Sequence, residues 1–127
     1  IILNFKMRNF RELDIWKEGR IVVKSTYLLI RQMPDDEKFG LTSQIKRSLI
    51  SIPSNIAEGC AKSSEKDLCR FLEISLGSCF ELETQLLLCS DLEFIKEEII
   101  AKQIETIQLL EKRISSFISF LRKNQKS

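Results

Sequence analysis

A chain of 127 residues weighing 14.8 kDa fits one domain, since single cores most often run to about 100–150 residues. Its 43% hydrophobic and 30% charged residues, with a net charge of only +2, describe a chain expected to fold rather than a disordered one. The absence of histidine excludes imidazole acid–base catalysis, the serine triad and imidazole-ligated metals. Apolar runs are short, Leu86-Leu87-Leu88-Cys89 being typical, against the roughly 20 residues of a membrane span, so a soluble protein is expected. The stretch Ile1 to Lys6 lacks the basic segment, long apolar run and cleavage site of a secretory signal, which makes the cytoplasm the default expectation.

With four glycines, two prolines and no Asn-Gly or Asp-Gly hairpin signal, helix is favoured over sheet. A first helix is predicted over about residues 12 to 33, on Leu13, Trp16, Val23, Tyr27 and Ile30 as its core face. Pro34 closes it, because proline disfavours helical geometry in the residue before it. A second runs from Thr42, read as its N-cap, to Gly59, read as the left-handed residue after its end, with Leu41, Ile45, Leu49, Ile52 and Ile56 inside and a bend at Pro53. Ser64 with Asp67 resembles a capping box opening a third helix to about Ser90. A fourth spans Lys96 to about Lys123 on Ile100, Ile104, Ile107, Ile114, Phe117, Ile118 and Leu121. Short links force antiparallel neighbours, so the expected architecture is an all-α, up-down-up-down four-helix bundle forming one domain over residues 1–127, with a flexible leader (1–8) and tail (124–127).

Cys60, Cys69, Cys79 and Cys89 contain no Cys-x-x-Cys pair and are expected to be free thiols buried as small hydrophobes. On the third helix Phe71, Leu82, Leu68, Leu86, Cys79, Leu72, Leu76, Cys69, Leu87 and Phe80 cover about half the circumference, wider than the roughly 100° stripe that a bundle helix buries. The surplus predicts a homo-oligomer.

Beside the core of the second helix lie Gln44, Ser48, Ser51, Asn55 and Glu58, and the third carries Gly77, Ser78, Glu81 and Gln85. If these strips meet, the small residues let the backbones approach and the polar groups satisfy one another, with Arg47 reaching Glu81. The alternative is a Glu58–Glu81 carboxylate pair for acid–base or metal chemistry. Four-helix di-iron sites use Glu-x-x-His, however, so the structural reading is preferred. No catalytic residue, metal site or cofactor motif is predicted; Gly19, Gly40, Gly59 and Gly77 are isolated and form no phosphate loop.

Charge is laid out along the expected bundle. Lys6, Arg8, Arg11, Lys62, Lys66, Arg122, Lys123 and Lys126, offset by Glu65, fall at one end, while Asp35, Asp36, Glu37, Asp91, Glu93, Glu97 and Glu98, offset by Lys38 and Lys96, fall at the other. On the first helix Lys17, Arg20, Lys24 and Arg31 fall within about 60° of arc at 100° per residue, with Tyr27 alongside. Cations beside a stacking-capable ring suit a nucleic-acid backbone, bound without sequence preference. The plainer reading is a solvated face or a partner for acids such as Glu73 and Glu83.

Four blocks carry a resemblance: Asn9-Phe10-Arg11-Glu12-Leu13-Asp14-Ile15-Trp16-Lys17; Phe39-Gly40-Leu41-Thr42-Ser43-Gln44-Ile45-Lys46-Arg47-Ser48; Ser51-Ile52-Pro53-Ser54-Asn55-Ile56-Ala57-Glu58-Gly59; and Phe71-Leu72-Glu73-Ile74-Ser75-Leu76-Gly77-Ser78 with Glu81-Leu82-Glu83. Over about residues 7 to 121 the chain resembles the four-helix-bundle family encoded in intervening sequences of bacterial large-subunit ribosomal RNA genes, to which the accessory protein of diversity-generating retroelements is similar. The resemblance implies a ring-like homopentamer, no enzymatic activity and, by analogy with the accessory protein, RNA or DNA binding on basic surfaces and contact with a reverse transcriptase. Family members typically begin near a Met-x-x-Phe such as Met7 to Phe10. The expected function is thus a non-enzymatic oligomer binding nucleic acid through Lys17, Arg20, Lys24, Arg31, Lys62, Lys66, Arg122 and Lys123. The alternative is a structural or protein-interaction scaffold with no nucleic-acid role.

Overall fold

The computed structural model describes residues 8–125. Of the expected leader and tail only Arg8, Asn124 and Gln125 fall within that range, and Lys6 and Lys126 lie outside the described residues. Four helices, Asp14–Leu29 (α1), Leu41–Cys60 (α2), Glu65–Asp91 (α3) and Glu97–Gln125 (α4), form the fold, with no strand among the described residues. Facing positions run in opposite directions between every neighbouring pair. Gly19 meets Pro53 and Tyr27 meets Lys46 between α1 and α2; Ser51 meets Ser78 and Gly59 meets Phe71 between α2 and α3. Glu73 meets Arg122 and Glu83 meets Gln108 between α3 and α4, and Glu18 meets Arg113 and Thr26 meets Gln103 between α1 and α4. The bundle is therefore closed and up-down-up-down, as the short connections predict.

Helix boundaries differ from the sequence expectation where local chemistry intervenes. The first helix is shorter: 3₁₀ turns at Phe10–Glu12 and Ile30–Gln32 flank α1. Met33, ahead of Pro34, is extended (φ −65°, ψ 145°), as the proline ring requires of its predecessor. Thr42 is not the N-cap of α2. The helix starts two residues earlier, with Gly40 at the N-cap; a Glu37 carboxylate oxygen accepts the Leu41 N–H at 3.0 Å, and Thr42 is buried in the first turn. Ser64 does cap α3, accepting the Asp67 N–H at 3.1 Å. The end of α3 is a Schellman turn: Glu93 N–H donates to Ser90 O (3.0 Å) and Phe94 N–H to Cys89 O (2.9 Å). Glu93 occupies the left-handed position, φ 61°, that glycine fills most easily.

The core is a continuous apolar column of residues from all four helices, including Ile45, Leu49, Ile52 and Ile56 of α2, Leu68, Leu72, Leu82 and Leu86 of α3, and Ile100, Ile107, Leu110 and Ile114 of α4. On α1 the buried line is Ile15, Gly19, Val22 and Thr26. The predicted face is rotated from it, since Leu13, Trp16, Val23 and Tyr27 are only partly buried. The line runs through a glycine because α1 crosses α2 there: a Cβ on Gly19 would lie 3.4 Å from Pro53 Cβ. Thr26 belongs to it because its hydroxyl accepts a hydrogen bond from Gln103 Nε2 at 2.9 Å, which satisfies the buried oxygen. Pro53 does not interrupt α2.

Gly59 is not a left-handed terminator, since no glycine has positive φ. It lies inside α2 where α3 comes closest, and a Cβ there would meet Phe71 Cβ at 2.9 Å and Leu68 Cδ1 at 3.1 Å. Gly77 is the reverse case: nothing lies within 4 Å of a Cβ placed on it. Gly59→Ala is expected to destabilise by about 1–3 kcal/mol through overpacking. Gly77→Ala should stabilise an isolated subunit by roughly 0.5–1 kcal/mol from helix propensity alone. Urea denaturation midpoints check both, and a Gly59→Ala protein as stable as the parent would refute the close approach.

Candidate nucleic-acid interface

Lys17, Arg20 and Lys24 stand exposed on α1, and Arg31 is exposed in the 3₁₀ turn after it. Ion pairs among the described residues are Glu18–Arg113 and Glu73–Arg122, so none of these four cations is neutralised by a carboxylate there. The Arg20 guanidinium lies over the Trp16 ring, 5.1 Å from its centroid. Trp16 in turn meets the Phe10 ring edge-to-face, with centroids 5.1 Å apart and planes at 73°. Phe10, Arg11, Trp16, Lys17 and Arg20 line a cleft of about 790 Å³. Sequence reasoning placed Trp16 in the core and missed this cleft; the signal was an aromatic at each of positions 10 and 16 amid cations at 11, 17 and 20. Tyr27, the ring predicted to accompany the stripe, instead has Lys46 of α2 over its face at 5.5 Å.

The tip beside this cleft gathers the rest of the predicted cations. Arg8 donates to the carbonyls of Cys60 (3.5 Å) and Lys62. Lys62 and Arg70 both cover Phe71, at 4.9 and 5.7 Å. Lys66 and Lys123 are exposed. Arg122 is committed to Glu73 at 2.7 Å, a pairing that the reading of the tip as basic did not include. The opposite tip holds Asp35, Asp36 and Glu37 in one 3₁₀ turn with Asp91, Glu93, Glu97 and Glu98 across from it. The basic tip is more dilute than the sequence sum suggests, because Glu12 and Asp67 join Glu65 there.

The polar strips of α2 and α3 do meet, in part. The hydroxyls of Ser51 and Ser78 are hydrogen-bonded to each other and Ser75 Oγ donates to Ile52 O at 2.9 Å across the pair, while Asn55 Nδ2 donates to Ser51 O at 2.8 Å within α2. Gln44, Glu58 and Glu81 are exposed at the rim. Arg47 does not reach Glu81; its guanidinium contacts Ser43 Oγ at 3.5 Å on its own helix, one turn away.

The carboxylates brought into contact are Glu83 and Glu111, between α3 and α4, a pairing the sequence reading did not foresee. Glu111 Oε2 is buried with no donor among the described residues. Burial, a hydrogen bond with Glu83 and the charge of Glu83 push the Glu111 carboxyl up to about 8. Gln108 Nε2 donates to Glu83 at 3.3 Å. No group of His, Cys, Asp and Glu suited to a metal occurs among the described residues. The four thiols are free and buried, with burial pushing Cys79 up to about 12 and Cys89 to about 11.

Because the folded pKa of Glu111 lies above its ordinary value of 4.5, the native state holds a proton that the unfolded chain releases. That contribution is complete below about pH 4.5 and is lost as pH rises through about 8. Thermal melts should therefore give a lower Tm at pH 9 than at pH 6, with the difference reduced in Glu111→Gln. An identical pH profile for the variant would contradict the raised Glu111 carboxyl.

Comparison with known proteins places this geometry among relatives. A family model for the 23S rRNA-intervening sequence protein matches residues 11–116. Among solved structures, a protein of unknown function from the S23 ribosomal protein family of Bacteroides thetaiotaomicron aligns with a TM-score of 0.75 and 26% identity, over 82% of this chain and 97% of the other. No curated protein matches the chain.

Proposed function

The chain belongs to the 23S rRNA-intervening sequence protein family, and from that premise we propose that it is a non-enzymatic, homo-oligomeric protein that binds nucleic acid without sequence preference. The observation that carries this reading is the exposed row of Lys17, Arg20, Lys24 and Arg31, without a carboxylate partner among the described residues. Each such cation can neutralise a phosphate and release a counterion. The neighbouring tip, with Lys62, Lys66 and Lys123, extends the surface, and the acidic opposite tip orients it. The ribosomal RNA context of the family makes RNA the natural first ligand, and the cytoplasm the place to meet it. A reverse transcriptase partner rests on the resemblance to the retroelement accessory protein, and no arrangement of residues in the bundle speaks for it.

Self-association is the second component. Within one chain, most of the wide apolar arc of α3 is consumed by its two neighbours; of the residues that suggested a surplus, Phe80 and Leu87 remain about half exposed, at 54% and 48%. Ile74 (44%) and Leu88 (42%) join them, and Gly77 leaves room beside them for a close backbone approach. A copy seated on this face would bury apolar surface that a monomer leaves wet. The ring of five copies implied by the family resemblance would set equivalent basic tips on one side, multiplying the local potential.

A scaffold reading draws on Ile21 (62%) and Leu28 (50%), exposed apolar residues bordering the cationic row, which suit a protein partner. Reversing Lys17, Arg20, Lys24 and Arg31 to glutamate separates the two. Loss of RNA binding at constant oligomer mass supports the nucleic-acid role, and full retention transfers the case to the scaffold. For the parent protein, log K against log salt should fall with a slope of about −3 for four phosphate contacts. Light scattering should return a mass above 14.8 kDa that Phe80→Ser with Leu87→Ser lowers; a monomer at tens of micromolar would rule out the assembly.

A further inference from the structure

Resting on the nucleic-acid reading above, we propose that the cleft between the Phe10–Glu12 turn and the start of α1 is a pocket for one unpaired nucleotide of a single strand, its base stacked in the Phe10–Trp16–Arg20 wall and its flanking phosphates held by Arg11 and Lys17. The cleft's composition is the first argument: two aromatic rings and three cations line it, and no carboxylate does. The nearby acids are turned to other work. Glu12 accepts from Asn9 Nδ2 at 3.2 Å, while Asp14 lines a separate depression with Glu18 and Arg113. A volume of about 790 Å³ lies in the roughly 300–1,000 Å³ range of ligand sites.

The second argument is preorganisation. Asn9 Oδ1 accepts the Arg11 N–H at 3.2 Å, and Phe10 O accepts the Leu13 N–H at 3.1 Å, so the turn that carries Phe10 is fixed independently of any ligand. Trp16 packs on the core with part of its surface exposed. Apolar packing of one ring edge on another would account for Phe10 on Trp16. It would not account for Arg11, Lys17 and Arg20 converging on that ring pair without a counter-charge among the described residues. The Arg20 guanidinium lying over the indole presents its outer planar face to a base, and a base added there extends a ring–cation stack of the kind that nucleobases join. Bases in a duplex are unavailable to such a wall, so the pocket selects unpaired strands.

Trp16 is the only tryptophan of the chain, so its emission reports on the pocket in the unmodified protein. The full chain is titrated at low salt with a fluorescently labelled 20-mer of single-stranded oligoadenylate, the matching duplex, and an abasic 20-mer of equal phosphate number. Binding is read by anisotropy and by tryptophan emission. The expected result is quenching of Trp16 by the single strand and about tenfold tighter binding of it than of the abasic strand. Trp16→Leu, with its fold checked by circular dichroism, should erase that preference while retaining abasic and duplex binding. Equal affinity for single and abasic strands with unchanged emission would overturn the pocket while leaving the basic-face reading intact. Absence of binding by all three probes would overturn both.

Discussion

The close approach of α2 and α3 is the constraint on which the remaining structure depends. It is made by small and hydroxyl-bearing residues: Gly59 under Phe71, Ser51 against Ser78, and Ser75 on the Ile52 carbonyl. None of these contributes much apolar area. Their effect is geometric, because each hydroxyl satisfies its polarity against the facing helix and so allows burial without an orphaned donor. With that pair seated, Leu49, Ile52 and Ile56 are buried in one core with Leu72, Leu82 and Leu86, and α1 and α4 complete the column.

Much of this was legible in the sequence, for identifiable reasons. The periods of α2 and α4 are dominated by isoleucine and leucine, so their buried faces follow from spacing alone. The face of α1 was misplaced because its buried line contains Gly19 and Thr26, which carry no hydropathy signal; their places are set by Pro53 and Gln103 on other helices. Thr42 was the better cap on propensity, but Glu37, four residues before Leu41 and held in its own 3₁₀ turn, accepts the Leu41 amide, and the helix begins ahead of Thr42. Glu93 in a left-handed conformation could not be anticipated, since the Schellman turn overrides the residue's own preference.

The functional surface was legible in its charges and not in its pairing. Lys17, Arg20 and Lys24 fall on one face because 3.6-residue periodicity holds through α1, and Arg31 is exposed in the 3₁₀ turn beyond it. Which cations find carboxylates is a tertiary matter: Arg122 pairs with Glu73 and Arg113 with Glu18, while Arg47 stays with Ser43 on its own helix. The Glu83–Glu111 contact was hidden for the same reason, since two acids on different helices reveal nothing until register brings them together. Trp16 shows the limit most clearly. Its spacing marks a core residue, and only its neighbours in space make it a wall.

The seam between α1 and α4 differs in character from the others. It joins elements distant along the chain, and its named contacts are polar: Glu18 with Arg113, and Gln103 with Ser25 and Thr26. Opening there breaks hydrogen bonds that water can replace and uncovers the narrow buried line of Ile15, Val22 and Ile30, whereas parting α2 from α3 uncovers the longer isoleucine and leucine rows of both helices. Local unfolding should therefore begin by swinging α1 outward, so that the amides of this helix exchange with solvent sooner than those of α2 or α3. The segment bearing the cationic row and the aromatic cleft is thus the least firmly anchored part of the bundle, able to adjust its pose to a ligand while the other three helices keep their shape.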